Sequence, residues 1–481
     1  MTQQPDTGLD PALRRLIAVV LLGGIMGILD GSMAAVAVDT LASRFETSLS
    51  SIGWVSTGYL LALTVTIPVT AWAIDHVGPR RLWLSGLVLF LVGSVASGLA
   101  WDVGSLIVFR VLQGIGAGIL DPLMLMLLAR AAGPSRAGRV MGVMGVVGSS
   151  GPILGPIIGG VILQDLDWRW MFLVNVPIVI VAFALSLRVL PADPSAAERQ
   201  SSRLDVLGVA LVGPGVAMGV LALSEAAQRG AFVTWQVLLP LAVAVVLLGG
   251  YAVHALRRRE TPPLIELRMF ARRNFSASVL TGALVGLATF GSLFVLPLYY
   301  QQVRGHGVFA AGLLLAPLGL GSAISMPLSG RLSDRLGSQR LVQCGAVVAL
   351  LSAIGFSLLG AGTSHVLAAI AAFTIGLGLG SIGAPTIGSL YRTLPPEQVP
   401  QGSSVLYMLN QLGASVGIAV VALIMQNAGS PLAGFHAAYW WIAGALVVVL
   451  LVSPLIPGRP APAAAAAPAD EPVAAGAEEH R

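Results

Sequence analysis

Fourteen stretches of 18 or more mainly apolar residues follow one another along this chain. They lie near 15–38, 52–74, 82–101, 105–128, 138–163, 170–190, 204–224, 233–255, 275–300, 309–330, 341–362, 365–391, 403–427 and 436–457. As a helix, each would be long enough to cross the ~30 Å hydrocarbon core of a bilayer. A chain that crosses lipid must satisfy its backbone hydrogen bonds internally, and separate spans do this only as helices. The pattern therefore predicts an all-α polytopic membrane protein. Composition agrees: 56% of residues are hydrophobic and 10% charged, too few charges for a soluble globular surface. The first span has no small-residue cleavage site and is expected to stay in the protein.

An even number of spans places both ends of the chain on one side, and arginine chooses the side. All 27 basic residues are Arg. With a cytoplasmic N-terminus, 22 of them fall in inner segments and four, Arg44, Arg169, Arg229 and Arg304, fall outside. The positive-inside rule then predicts cytoplasmic termini. The pI of 9.9 reflects these topology signals and gives no reason to expect a nucleic-acid partner. The most basic loop, RRRETPPLIELRMFARRN at 257–274, reads as an anchor on anionic lipid. A lone Cys344 excludes an intrachain disulfide, and six scattered His show no ligand spacing. No metal, cofactor or nucleophile–base pair is expected, and so no enzyme.

Part of the chain repeats. Gly53, Pro68, Asp75, Gly78, Arg81, Leu82 and Gly86 return 259 residues later as Gly312, Pro327, Asp334, Gly337, Arg340, Leu341 and Gly345. The repeat matches span 2 and its inner loop to span 10 and its inner loop. It predicts two six-helix halves with spans 7 and 8 inserted between them, an arrangement that many secondary transporters use to build a midplane site. The expected parts are a cytoplasmic tail over 1–14, one half over 15–190, the inserted pair with its flanking loop over 191–258, a basic loop over 259–274, the second half over 275–457 and a disordered Ala/Pro-rich tail over 458–481.

Span 4, SLIVFRVLQGIGAGILDPLMLMLLAR, carries Arg110 and Asp121 inside an apolar run. A charge at mid-membrane costs roughly 2.5–3.5 kcal/mol, which function usually explains. At ~100° per residue the two share a helix face with Gln113, Gly114, Ala117 and Gly118. They are about 16 Å apart along the helix at ~1.5 Å per residue, too far to pair. Asp30 of span 1 lies at nearly the depth of Arg110, so these two can meet across helices. No basic residue is expected at the depth of Asp121. That acid is read either as a carboxylate in a wet cavity, attracting cations, or as a neutral acid bonded to a backbone carbonyl beside Pro122. At the repeat offset Asp30 corresponds to Thr289 and Arg110 to Ala369. The intramembrane charges are thus confined to one half, which packing alone would not require.

The repeated loops read AWAIDHVGPRR and GRLSDRLGSQR. Asp75 and Asp334 end a helix, Gly78 and Gly337 permit a turn, and Arg81 and Arg340 open the next helix. An acid there can cap a neighbouring helix or pair with Arg, and such contacts must break when that side opens; turn chemistry alone also fits. Span 5 contains GPILGPIIGG, with Gly151, Pro152, Gly155, Pro156, Gly159 and Gly160. Small residues at this spacing allow close helix approach, and the prolines add a bend. Tyr59, Gln113, Phe290, Phe294, Tyr407, Met408 and Gln411 are candidate walls of a forgiving substrate cavity.

Together LDGSMAAVAVDTLA, AWAIDHVGPRR, RVLQGIGAGILDP, GPILGPIIGG and WRWMFLVNVP resemble the motif series of the major facilitator superfamily, and the fourteen spans resemble its drug:proton antiporter branch. The resemblance covers nearly all of 15–457. It implies a monomeric exporter of the bacterial cytoplasmic membrane, embedded in lipid, exchanging small molecules for protons and driven by the proton gradient without a cofactor. It implies that Asp30 is the coupling acid, with Arg110 assisting and Asp121 a second cavity acid. Asp75, Gly78 and Arg81 with their repeats would form the gating loops, and Gly151, Pro152, Gly155, Pro156, Gly159 and Gly160 of span 5 the antiporter motif. The chain departs from the family pattern at Ala35, Asp39, Ala71, His76, Pro79 and Asp121. An exporter of a metabolite, self-made antibiotic or lipid fits the same residues, as does a sensor or channel that does not pump.

Overall fold

The computed structural model describes residues 10–47, 49–193, 205–231, 233–257, 263–395 and 398–457. The Ala/Pro-rich tail at 458–481 lies outside them. Membrane-length helices run in the expected order: α1 Pro11–Val36, α2 Leu49–Val77, α3 Pro79–Gly98, α4 Val103–Gly133, α5 134–165, α6 Trp170–Val189 and α7 Val206–Arg229. They continue as α8 Trp235–Arg257, α9 Arg273–Leu298, α10 Ala316–Leu336, α11 Ser338–Phe356, α12 His365–Thr393, α13 Val399–Asn427 and α14 Pro431–Val452. Thirteen of these segments are long and apolar enough to cross a membrane among the described residues; the remaining arm, α5, holds the expected fifth span. Spans 4 and 5 are not joined by the loop expected near 129–137. One helix runs Val103–Asp165, broken only at Gly133 (φ 66°, ψ 172°). Glycine meets the positive φ without penalty, and Pro134 starts the next arm with φ preset for a helix.

Close packing is built from glycines. On α4, a Cβ at Gly114 would lie 2.4 Å from the Tyr59 carbonyl of α2, at Gly116 2.5 Å from the Phe90 amide of α3, and at Gly118 2.5 Å from the Leu63 carbonyl of α2. On α12 the same alternation recurs. A Cβ at Gly376 would lie 2.0 Å from the Leu318 carbonyl, at Gly378 2.5 Å from the Ala349 amide, and at Gly380 2.1 Å from the Ser325 hydroxyl. Small residues let helices approach where lipid supplies no hydrophobic drive between them. These pairs are related by an offset of 262, three more than the offset of the inner loops, because the α11–α12 connection is longer than that between α3 and α4.

The apolar core is shared unevenly. One continuous core joins α1 to α8 with Phe275, Val279, Leu390, Leu394, Val405 and Leu406. These belong to the ends of α9, α12 and α13 nearest the face that carries the chain termini. The opposite end of the second half has its own core around Tyr299, Phe356, Phe435 and Tyr439. The halves are therefore packed together at the terminal face. Outward-facing Val245, Val246, Leu351 and Leu451 are exposed, an apolar perimeter suited to lipid.

The inserted pair sits at the seam between α2 and α13: α7 packs on both, and α8 packs on α7. Its base is held by Asp205, which accepts from Gly208 N at 3.0 Å, Leu264 N at 3.3 Å and His254 Nε2 at 2.9 Å. Burial pushes the Asp205 carboxyl up, but the bonds from Gly208, His254 and Leu264 outweigh it and hold it below the usual range. A depressed folded value contributes stability above the unfolded value near pH ~3.9, lost as pH falls through the folded value. Asp205→Asn is expected to speed amide exchange at Leu264 by about tenfold at pH 7. Wild-type protein should approach the variant's rate only below pH ~4.

Candidate functional site

Asp30 sits on α1 and Arg110 on α4; they are 2% and 0% exposed. Arg110 Nη1 donates to Asp30 Oδ2. The other carboxylate oxygen accepts from Gln113 Nε2 at 2.9 Å and from Asn175 Nδ2 at 2.8 Å. Ser94 Oγ receives Asn175 Nδ2 at 3.2 Å and donates to the Phe172 carbonyl at 2.8 Å. Arg110 Nη1 also reaches Gln113 Oε1 at 2.7 Å, and Nε reaches the Val55 carbonyl at 3.3 Å. Its guanidinium lies over the Tyr59 ring, 4.2 Å from the centroid. Arg110 Nη2 has no partner among the described residues. A buried pair of this kind persists only when its remaining donors and acceptors are satisfied, and this one is nearly so.

Depth along two spans was enough to match Asp30 with Arg110. It was not enough to find Ser94 and Asn175. Asn175 stood in the sequence as a polar residue within WRWMFLVNVP, and its target could not be read there. Gln113, expected as a cavity wall, instead belongs to the Asp30 cluster. Tyr59 is buried under Arg110, and its hydroxyl donates to the Gly27 carbonyl at 3.2 Å. Phe290, Phe294 and Gln411 are half-buried on α9 and α13, and Met408 is buried in the core.

Asp121 is not unpartnered, and its partner is not a backbone carbonyl beside Pro122. The Tyr407 hydroxyl of α13 donates to Oδ2. The expectation failed because it searched for cations and for neighbours on the same helix, while the donor is a phenol 286 residues away.

The glycines of α5 seat α1 beside Asp30. A Cβ at Gly151 would lie 2.2 Å from Ile28 Cγ2, and at Gly155 1.9 Å from Ser32 Oγ. Ser32 Oγ donates to the Gly151 carbonyl at 3.0 Å. Gly159 lies near Met33 and Met171, whereas nothing lies within 4 Å of a Cβ at Gly160. The second half repeats this contact: a Cβ at Gly413 or Gly417 of α13 would lie 2.0 or 2.4 Å from the carbonyls of Ala283 and Leu287 of α9. The side chains of Pro152 and Pro156 lie outside what the structure describes.

Both repeated inner loops turn on a glycine of the same conformation, Gly78 at φ 94° and Gly337 at φ 90°. The side chains of Asp75 and Asp334 lie outside the described part, and those of Arg81 and Arg340 are exposed. The acid seen at the first loop is Asp193, beyond α6. It accepts from Arg80 N at 2.7 Å and Arg81 N at 3.0 Å, capping α3. A Cβ at Gly78 would fall 2.4 Å from its Cγ. Asp193→Ala is expected to cost about 1 kcal/mol, as a lost N-terminal cap. A lower melting temperature with faster exchange at the Arg80 and Arg81 amides would register it.

A model of the Major Facilitator Superfamily matches residues 20–418. The chain is 34% identical over 423 residues to the multidrug resistance protein B homolog of Mycobacterium tuberculosis, covering 88% of this chain and 77% of that one. It is 30% identical over 410 residues to multidrug export protein EmrB of Escherichia coli, covering 84% and 79%. Among solved structures, the human organic anion transporter MFSD10 matches with a TM-score of 0.65 at 17% identity, over 92% of this chain and 100% of that one, a likeness of fold. Two halves with an inserted pair, glycine-seated helices and a family match across most of the sequence agree: the chain belongs to the major facilitator superfamily.

Proposed function

We propose that this protein is a proton-coupled antiporter that exports drugs or other amphipathic, cationic small molecules across a bacterial cytoplasmic membrane by alternating access. The terminal face is then cytoplasmic, as its arginines favour. The observation that carries this reading is the Asp30 cluster: a buried carboxylate held by Arg110, Gln113 and Asn175 in one half only. A proton arriving at Asp30 neutralises it and leaves Arg110 without a counter-ion. Two protonation states then favour two packings, and the gradient supplies the difference. Relatives named for multidrug resistance and export support the cargo. Gly78, Arg81, Gly337 and Arg340 with Asp75 and Asp334 serve as gating loops, while Phe290, Phe294, Met408 and Gln411 line the cargo's path. The protein works as a monomer, with the proton gradient in place of a cofactor.

Everted membrane vesicles test the proposal. Labelled cationic dye should accumulate against its gradient when a pH gradient is imposed, and accumulation should collapse when that gradient is dissipated. Dye that only equilibrates would identify a channel, and transport of neutral metabolites alone would identify a specific exporter.

A further inference from the structure

Asp121 and Tyr407 belong to opposite halves, α4 and α13. Asp121 is 3% exposed and accepts from the Tyr407 hydroxyl through Oδ2. Its Oδ1 has no partner among the described residues. That oxygen looks toward Gly27 of α1, where a Cβ would sit 3.5 Å from Oδ1 and 3.4 Å from the Tyr59 hydroxyl. No Arg or His among the described residues is bonded to Asp121. Tyr407 lies about two turns from the terminal-face end of α13. Val405, Leu406 and Met408 beside it belong to the core that packs the halves together there.

We propose that Asp121 and Tyr407 form a latch that holds the terminal face closed and must part whenever that face opens. The proposal rests on the alternating-access reading, but not on protons or on the nature of the cargo. Two halves that rock apart at this face carry α4 and α13 with them, and a single short contact between rigid helices cannot stretch to follow. Parting exchanges that bond for water at both groups, at the net cost of one hydrogen bond. That loss favours the closed packing by about tenfold in population. Tyr407 sets this balance as a positioning residue, without needing to touch the cargo.

The test uses full-length protein in oriented vesicles, with Cys344→Ser removing the native thiol. Ser404→Cys then reports opening, because Ser404 is 2% exposed and lies one turn before Tyr407 on α13. A membrane-impermeant maleimide reacts at a rate proportional to the open fraction, however small that fraction is. Tyr407→Phe, which removes one hydroxyl, is expected to raise the rate from the terminal face about tenfold. Reagent on the opposite face should gain nothing. Asp121→Ala should match Tyr407→Phe, the double variant should add no more than either single change, and Asp121→Asn should retain most of the protection. An unchanged rate in Tyr407→Phe overturns the latch. Equal gains from both faces, the mark of a loosened fold, overturn it too, as do fully additive effects. If Asp121→Ala fails to insert, Tyr407→Phe decides alone. No gradient or cargo is present, so failed uphill transport with intact latch behaviour would sink only the antiport reading.

Discussion

Asp30→Asn is expected to abolish gradient-driven efflux: in proteoliposomes with an imposed pH gradient, uphill accumulation should fall at least about hundredfold while the protein still inserts. Asparagine keeps the size of the side chain but no longer binds and releases a proton in the working pH range. A variant that still pumps uphill at the normal rate would remove Asp30 from the coupling step. The companion measurement is stability. Arg110→Gln alone strands a carboxylate held by Gln113 and Asn175 in a buried site, and is expected to cost about 3–5 kcal/mol. Arg110→Gln combined with Asp30→Asn removes both charges and should melt closer to the parent than Arg110→Gln does. A pair that merely decorates the helices would give additive losses.

Gly155 should prove nearly as sensitive, through geometry alone. A methyl group there has to displace Ser32, whose Oγ would lie 1.9 Å from the new Cβ and which donates to the Gly151 carbonyl. The obstructing atom belongs to the helix that carries Asp30, two residues away. Gly155→Ala is expected to reduce transport about tenfold and Gly155→Val to eliminate it, with a stability loss of roughly 1–3 kcal/mol from overpacking. Gly160→Ala in the same motif should be neutral, since nothing lies within 4 Å of its Cβ. Transport and melting temperature across the three variants separate a packing seat from a general demand for glycine. Equal losses at 155 and 160 would refute the seat.

The spans were legible because membrane thickness leaves hydrophobic length as the strongest signal in such a chain. The Asp30–Arg110 pair was legible from depth, since two charges at similar height in adjacent helices have few other places to go. The turn repeat was legible at one offset, but the longer α11–α12 connection shifted everything after it. The glycines of α12 and α13 that mirror those of α4 and α5 were therefore missed. At the shifted offset Arg110 corresponds to Ala372 rather than Ala369, and the charge remains unique to the first half. Asp121–Tyr407 was beyond reach for another reason. Helical periodicity gives the face a residue occupies, not which face of a distant helix lies opposite. Asp193 was overlooked because its role depends on where the chain after α6 comes to rest against the start of α3.

The inserted pair changes how the helices divide between the two halves. α8 leads through Tyr251, whose hydroxyl receives Ile265 N and donates to the Ile265 carbonyl, both at 2.7 Å, into the segment that begins the second half. At the other end Asn427 of α13 donates to the Gly230 carbonyl at 3.1 Å. Toward α2 the described contact is apolar, with Gly213 against Val65. If the halves rock as proposed, these bonds carry the inserted pair with the second half, and the moving parts are six helices against eight.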